Sequence, residues 1–165
     1  MSQGIALEGM RLVKEYLPIA FENGSDLEAR GQMLTAGSMG AVAFQKGLGA
    51  IHALSHPIGA VHGTHHGTTN AVCMPAVLQF NASEISERFS NAAAYLGIVG
   101  GFDGFCRFVQ DFNDSLGIPR RLSDLGIGNA DLDLLTGAAL QDPSVGGNPV
   151  EMNKSNTRDL LASIL

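Results

Sequence analysis

All five histidines of this chain fall within one stretch, residues 47–67, which reads Gly-Leu-Gly-Ala-Ile-His-Ala-Leu-Ser-His-Pro-Ile-Gly-Ala-Val-His-Gly-Thr-His-His-Gly. His52 and His56 are four positions apart, so on a helix they stand one turn apart on one face. His62, His65 and His66 follow across a Gly-containing turn able to fold the chain back toward that face. Neutral imidazole is the commonest protein ligand for transition metals and titrates near physiological pH. A lone histidine on an apolar helix is usually a satisfied core residue; five so close together point to a metal or proton-transfer site. The His52-Ala-Leu-Ser-His56 segment has the paired histidines of the HExxH zinc motif but lacks its glutamate base, so a metalloprotease is excluded. Glycine-rich phosphate loops, the GxSxG elbow and CxxC pairs are absent from the sequence.

The elements that must position these histidines read as helices. Ile5, Ala6, Met10, Val13 and Leu17 recur at helical spacing, with Pro18 expected to disturb the last turn and Asn23-Gly24 to stop it. Ser25-Asp-Leu-Glu28 has the pattern of a capping box with Ser25 as the N-cap. Gly37 and Gly40 then lie inside a run of small residues, where each glycine costs roughly 1 kcal/mol relative to alanine. That cost predicts another backbone approaching closely at these two positions. Pro57 is expected to end or kink the first histidine helix unless it lies in that helix's opening turn. A second helix is expected over residues 68–81, kinked at Pro75.

The remainder reads as scaffold. Residues 83–96 and 104–116 are two amphipathic helices joined by a glycine-rich turn, and Phe89, Tyr95, Phe102, Phe105, Phe108 and Phe112 supply core bulk at helical spacing. Asn129 is expected to cap a helix reaching Gln141, residues 142–149 a loop, and residues 155–165 a last helix. No alternating strand pattern interrupts them, so the fold class is all-α.

At 165 residues the chain suits one domain with a sizeable core. A net charge of −6, with no basic stretch interleaved with aromatics, disfavours nucleic-acid binding. Cys73 and Cys106 lie far apart in apolar segments and read as buried free thiols of a reducing compartment. With no signal-peptide pattern at Met1 and no apolar run long enough to span a bilayer, the expectation is a soluble, cytoplasmic chain that does not enter membranes.

The histidine stretch, taken with Thr64-His-His-Gly-Thr-Thr-Asn-Ala71 and Pro75-Ala-Val-Leu-Gln-Phe-Asn81, closely resembles the iron-containing alcohol dehydrogenase family. Residues 7–12 and 26–30 are similar to the helices preceding that signature, and Asp142-Pro-Ser-Val-Gly-Gly-Asn-Pro149 is similar to the family's C-terminal loop. The resemblance implies a helical bundle like that family's C-terminal metal-binding domain, occupying residues 1–165 as one domain of a two-domain dehydrogenase. In the family an N-terminal α/β domain binds NAD(P), and the metal is held by an aspartate and a histidine four apart on one helix plus two later histidines. The resemblance places those later two at His52 and His66. His56 matches a histidine near the nicotinamide and substrate, which implies a catalytic, proton-relay or substrate-positioning role. His65 falls at a variable position and His62 at one often aromatic or apolar, so both are implied to be structural or exposed.

The first two ligands would lie on a helix ahead of Ser2, and no acidic residue here precedes a histidine by four. The expectation is therefore half of a metal site for Fe²⁺ (alternatively Zn²⁺), part of a cleft for a small alcohol or aldehyde, and no cofactor-binding residue for NAD(P). Such a chain would be inactive alone, would be completed by an N-terminal nucleotide-binding polypeptide, and would associate into homo-oligomers through apolar surface. Two other readings stand beside it. One is a structural or oligomerisation module that has lost chemistry. The other is a small histidine-based metal-binding protein, which would need further ligands from His62 and His65.

Overall fold

A computed structural model describes the backbone of residues 1–165 and every side chain except that of Lys46. Eight α-helices follow one another: α1 Ser2–Glu22, α2 Leu27–Ala43, α3 Ala50–His62, α4 His66–Phe80, α5 Ala82–Tyr95, α6 Gly101–Ser115, α7 Leu132–Gln141 and α8 Lys154–Ser163. Among the described residues there is no strand, and no helix is long and apolar enough to cross a membrane. The all-α expectation holds. The chain divides into two compact units, Met1–Gly47 with Phe89–Phe105, and Leu48–Arg88 with Cys106–Leu165.

In the first unit α1 packs on α2. Gly9 is buried, and a Cβ there would meet Met39 Cβ at 3.4 Å and the Ala36 carbonyl at 3.7 Å, so the absent side chain lets the two helices approach. The small residues at Gly37 and Gly40 do not serve this purpose, since a Cβ at either would meet nothing within 4 Å. The expectation of a close approach at those glycines was wrong, because no backbone of α1 or any other element comes near the space a side chain there would take. The N-cap of α2 also shifts by one residue. Asp26, not Ser25, accepts the Ala29 N–H at 2.9 Å, while the Ser25 hydroxyl turns back to Asn23 Oδ1 at 2.7 Å. On the surface of α1, Arg11 pairs with Glu8 and Glu15, and the Tyr95 hydroxyl donates to Glu8 at 3.0 Å. The Arg11 and Tyr95 hydrogen bonds hold the Glu8 carboxyl at about 2. Tyr95 is therefore a surface hydrogen-bond donor at 52% exposure, not the core residue its spacing suggested. Phe89 and Phe105 do pack, edge to face at 4.9 Å.

The second unit is organised around α3. Ala50, Ala53, Leu54, Pro57 and Ile58 are buried, which is the i, i+3, i+4, i+7, i+8 stripe of a helix with one face in the core. They pack with Val72, Cys73 and Val77 of α4, Leu132, Leu135 and Ala139 of α7, and Leu160 and Leu161 of α8. Burial pushes the Cys73 thiol up to about 12, so it is an inert core residue.

Pro18, Pro57 and Pro75 lie within helices that continue beyond them. Pro57 does not end α3, which runs five residues further, because its ring belongs to the buried stripe. Pro75 leaves the Ala71 carbonyl without its helical partner, and the Asn113 amide donates to that carbonyl at 2.9 Å. Asn129 opens a short 3₁₀ turn, Asn129–Asp131, and α7 starts only at Leu132. The loop after α7 is tightened into a 3₁₀ segment, Pro143–Gly147, capped by Asp142.

Candidate functional site

The same register that buries Ala53, Leu54 and Ile58 turns His52 and His56 to the opposite side of α3. Gly63, in the left-handed conformation at φ 66°, closes α3. Thr64 and His65 then turn the chain into α4, whose first residue is His66. The buried Thr69 hydroxyl fixes this turn, lying 2.8 Å from the Thr64 hydroxyl and 3.0 Å from the His65 carbonyl. Two helices joined by a three-residue turn thus bring His66 back against the histidine face of α3.

Three imidazoles meet there. Ring centroids are 5.5 Å apart for His52 and His56, 5.3 Å for His52 and His66, and 5.6 Å for His56 and His66, the last pair stacked at 18°. The Asn70 amide nitrogen, one turn along α4 from His66, lies 3.0 Å from His66 Nε2 and 3.4 Å from His52 Nε2. The two Nε2 atoms therefore converge on one point. Burial, with His66 and His56 adding to it, lowers the pKa of His52, which favours the neutral ring that a metal ligand requires.

His56 is held from its other nitrogen. Its Nδ1 lies 2.8 Å from Asp142 Oδ2. Asp142 is largely buried, and its Oδ1 accepts the Ser144 N–H at 2.8 Å. Burial pushes this carboxyl up, but the hydrogen bonds from Ser144 and the His56 ring outweigh it and leave the pKa lowered. Asp142 is the charged partner that orients the His56 ring.

His62 and His65 lie outside this group. His65 is the N-cap of α4, its Nδ1 accepting the Thr68 N–H at 3.3 Å. His62 Nε2 is 3.5 Å from Asp131 Oδ1, at ion-pair distance but without hydrogen-bond geometry. Their contacts are with the first turn of α4 for His65 and with Asp131 for His62. Among the described residues no three His, Cys, Asp or Glu are grouped so as to hold a metal ion. The donor set is two convergent imidazole nitrogens, which suits a transition metal whose other ligands come from outside the described residues.

Sequence reasoning missed Asn70 and Asp142. The first had a local signal, since it stands four residues after His66 on the same helix face. Asp142 had none, lying 86 residues from His56.

The family model described as Fe-containing alcohol dehydrogenase family, C-terminal, matches residues 1–165. The chain is 37% identical to a 4-hydroxybutyrate dehydrogenase of Cupriavidus necator over 97% of its own length and 44% of that protein. It is 36% identical to an NAD-dependent methanol dehydrogenase of Bacillus methanolicus, over 90% of its length and 41% of the relative. Among solved structures, a 1,3-propanediol oxidoreductase superposes with a TM-score of 0.94 at 28% identity, covering 99% of this chain and 45% of the other. The chain thus spans less than half the length of the relatives it matches.

Proposed function

We propose, because this chain belongs to the Fe-containing alcohol dehydrogenase family and matches its C-terminal domain, that it supplies half of a metal site and a proton-handling histidine for NAD(P)-dependent interconversion of small alcohols and aldehydes. The observation that carries this reading is the convergence of the His52 and His66 Nε2 atoms. A cation held by His52 and His66, iron(II) or zinc(II), would supply Lewis acidity, and a nicotinamide would supply the hydride chemistry. The chain's own residues do the rest. His52 and His66 present their Nε2 lone pairs to the cation. Oxidation of the alcohol also releases a proton from its hydroxyl, and in this reading His56 takes it, which its pairing with Asp142 supports. With Nδ1 turned to Asp142, the His56 ring offers Nε2 as the base, and the adjacent carboxylate stabilises the imidazolium that forms. The buried stripe of α3 keeps these rings in place, which is what proximity catalysis needs.

A polypeptide carrying the remaining ligands and the nucleotide site completes the enzyme in this reading. The buried thiols of Cys73 and Cys106 favour a reducing compartment such as the cytoplasm. The test is to purify the 165-residue chain, titrate it anaerobically with Fe²⁺, and assay NAD(P)-linked oxidation of short alcohols. Weak binding that His52→Ala or His66→Ala abolishes, with no turnover, is the expected result; stoichiometric tight iron or real turnover overturns it. His62→Ala and His65→Ala leave the binding in place. Loss of binding in either variant would instead support the independent metal-binding protein, against which the capping role of His65 already weighs.

Homo-oligomerisation is a second proposal, favoured by α2, whose Leu27 and Leu34 are 83% and 76% exposed one heptad apart. Sedimentation of a clean monomer would refute it.

A further inference from the structure

Asn70 stands at the point where the two imidazole nitrogens meet. Its amide nitrogen carries two hydrogens, and two acceptors lie within reach, His66 Nε2 at 3.0 Å and His52 Nε2 at 3.4 Å. Its other polar atom, Oδ1, is buried and has no hydrogen-bond partner. A buried unpartnered carbonyl oxygen costs free energy, so the amide is held in this orientation by the imidazoles at its nitrogen end.

We infer that Asn70 is a positioning residue that donates one hydrogen to each Nε2, locking His52 and His66 as Nδ1–H tautomers with both lone pairs aimed at the place a cation would take. The inference rests on the reading of His52 and His66 as ligands, and it adds a device that prepares them before any cation arrives. A neutral imidazole carries one proton on one of two nitrogens, and only the unprotonated nitrogen can ligate. An amide N–H₂ group selects the tautomer with Nε2 bare; a carbonyl or carboxylate in the same place would select the opposite one. Asn70 would thereby keep both Nε2 lone pairs unprotonated for a cation that took the place of its amide.

The test reads tautomers directly. The full chain is labelled with ¹⁵N-histidine, kept metal-free, and examined by two-bond ¹H–¹⁵N correlation at about pH 8.5, roughly two units above the ordinary histidine value. His52→Ala and His66→Ala assign the signals. The expected result is Nε2 of both rings at the downfield, unprotonated end of the nitrogen range. Asn70→Asp has the same shape but only accepts, so both Nε2 signals move to the protonated, upfield end; Asn70→Ser, a second variant, loses the fixed pattern. Nε2–H tautomers in the unaltered chain overturn the inference, as does an unchanged pattern in Asn70→Asp with its helical circular dichroism intact. The metal reading is judged separately, by Zn²⁺ titration of the same samples. Nδ1–H tautomers in a chain that binds no Zn²⁺ would retire the ligand assignment and leave Asn70's role standing, whereas Zn²⁺ binding with Nε2–H tautomers would do the reverse.

Discussion

Asn81 and Asn148 form a reciprocal amide pair whose loss is measurable as a coupled unit. Asn148 Oδ1 accepts from the Ala50 N–H at 3.0 Å and from Asn81 Nδ2 at 2.9 Å. Its Nδ2 donates to Asn81 Oδ1 at 2.8 Å and to the Val150 carbonyl at 2.7 Å. Asn81 Oδ1 also accepts the Val150 N–H at 3.3 Å. At about 1 kcal/mol net for each bond, Asn148→Ala loses four and costs about 4 kcal/mol, while Asn81→Ala loses three and costs about 3 kcal/mol. Two of those bonds are shared, so the double variant costs about 5 kcal/mol and the coupling is about 2 kcal/mol. Urea unfolding followed by far-ultraviolet circular dichroism, with equal m-values, measures each corner of the cycle. Additive costs, agreeing within about 0.5 kcal/mol, would refute the claim that the pair acts as a unit. The same cycle bears on function. The Ala50 N–H lies in the first turn of α3, two residues before His52, so Asn148→Ala also loosens the start of the helix that aims the histidines.

The remaining predictions concern the same loop. A Cβ at Gly147 would fall well inside van der Waals contact of the Leu48 carbonyl, whereas one at Gly146 meets nothing within 4 Å; Gly147→Ala should cost about 3 kcal/mol and Gly146→Ala within about 0.5 kcal/mol in the same urea assay. Because the folded Asp142 carboxyl titrates below its ordinary value of 3.8, its contribution to stability is complete above that value and is lost as pH falls through the lowered one. Asp142→Asn should therefore flatten the acid limb of a stability–pH curve below about pH 4, and an unchanged limb would count against the carboxylate's role.

What could be read from the sequence was local. The period of α3 is set by residues three and four apart, so its buried stripe and the shared face of His52 and His56 follow from counting. Where local rules failed, tertiary packing prevailed. Pro57 is a helix breaker by its chemistry, yet its burial in the core stripe holds α3 together across it. Pro75 is tolerated in part because Asn113, 42 residues away from Ala71, supplies the missing donor. Gly37 and Gly40 looked like a contact because small residues cluster there, but the contact of α1 with α2 is made at Gly9. Ser25 and Asp26 are both able caps, and the choice between them turned on the Ser25 hydroxyl already being engaged by Asn23.

The candidate site follows the same division, and this bears on how it works. The two imidazoles that meet at Asn70, His52 and His66, sit on two consecutive helices and are set by short-range geometry. The groups that orient them differ in origin. Asn70 is one turn from His66, whereas Asp142 reaches His56 across 86 residues from a loop that also carries Asn148, the cap of α3. That loop therefore controls both the aim of the helix and the orientation of the base upon it. Loss of the Asp142 carboxylate alone, with Asn148 kept, should alter the orientation of the His56 ring and leave the approach of His52 and His66, fixed within α3 and α4, largely intact. If His52 and His66 bind a cation and His56 handles a proton as proposed, substitutions at Asp142 and at Asn70 should perturb one role without the other.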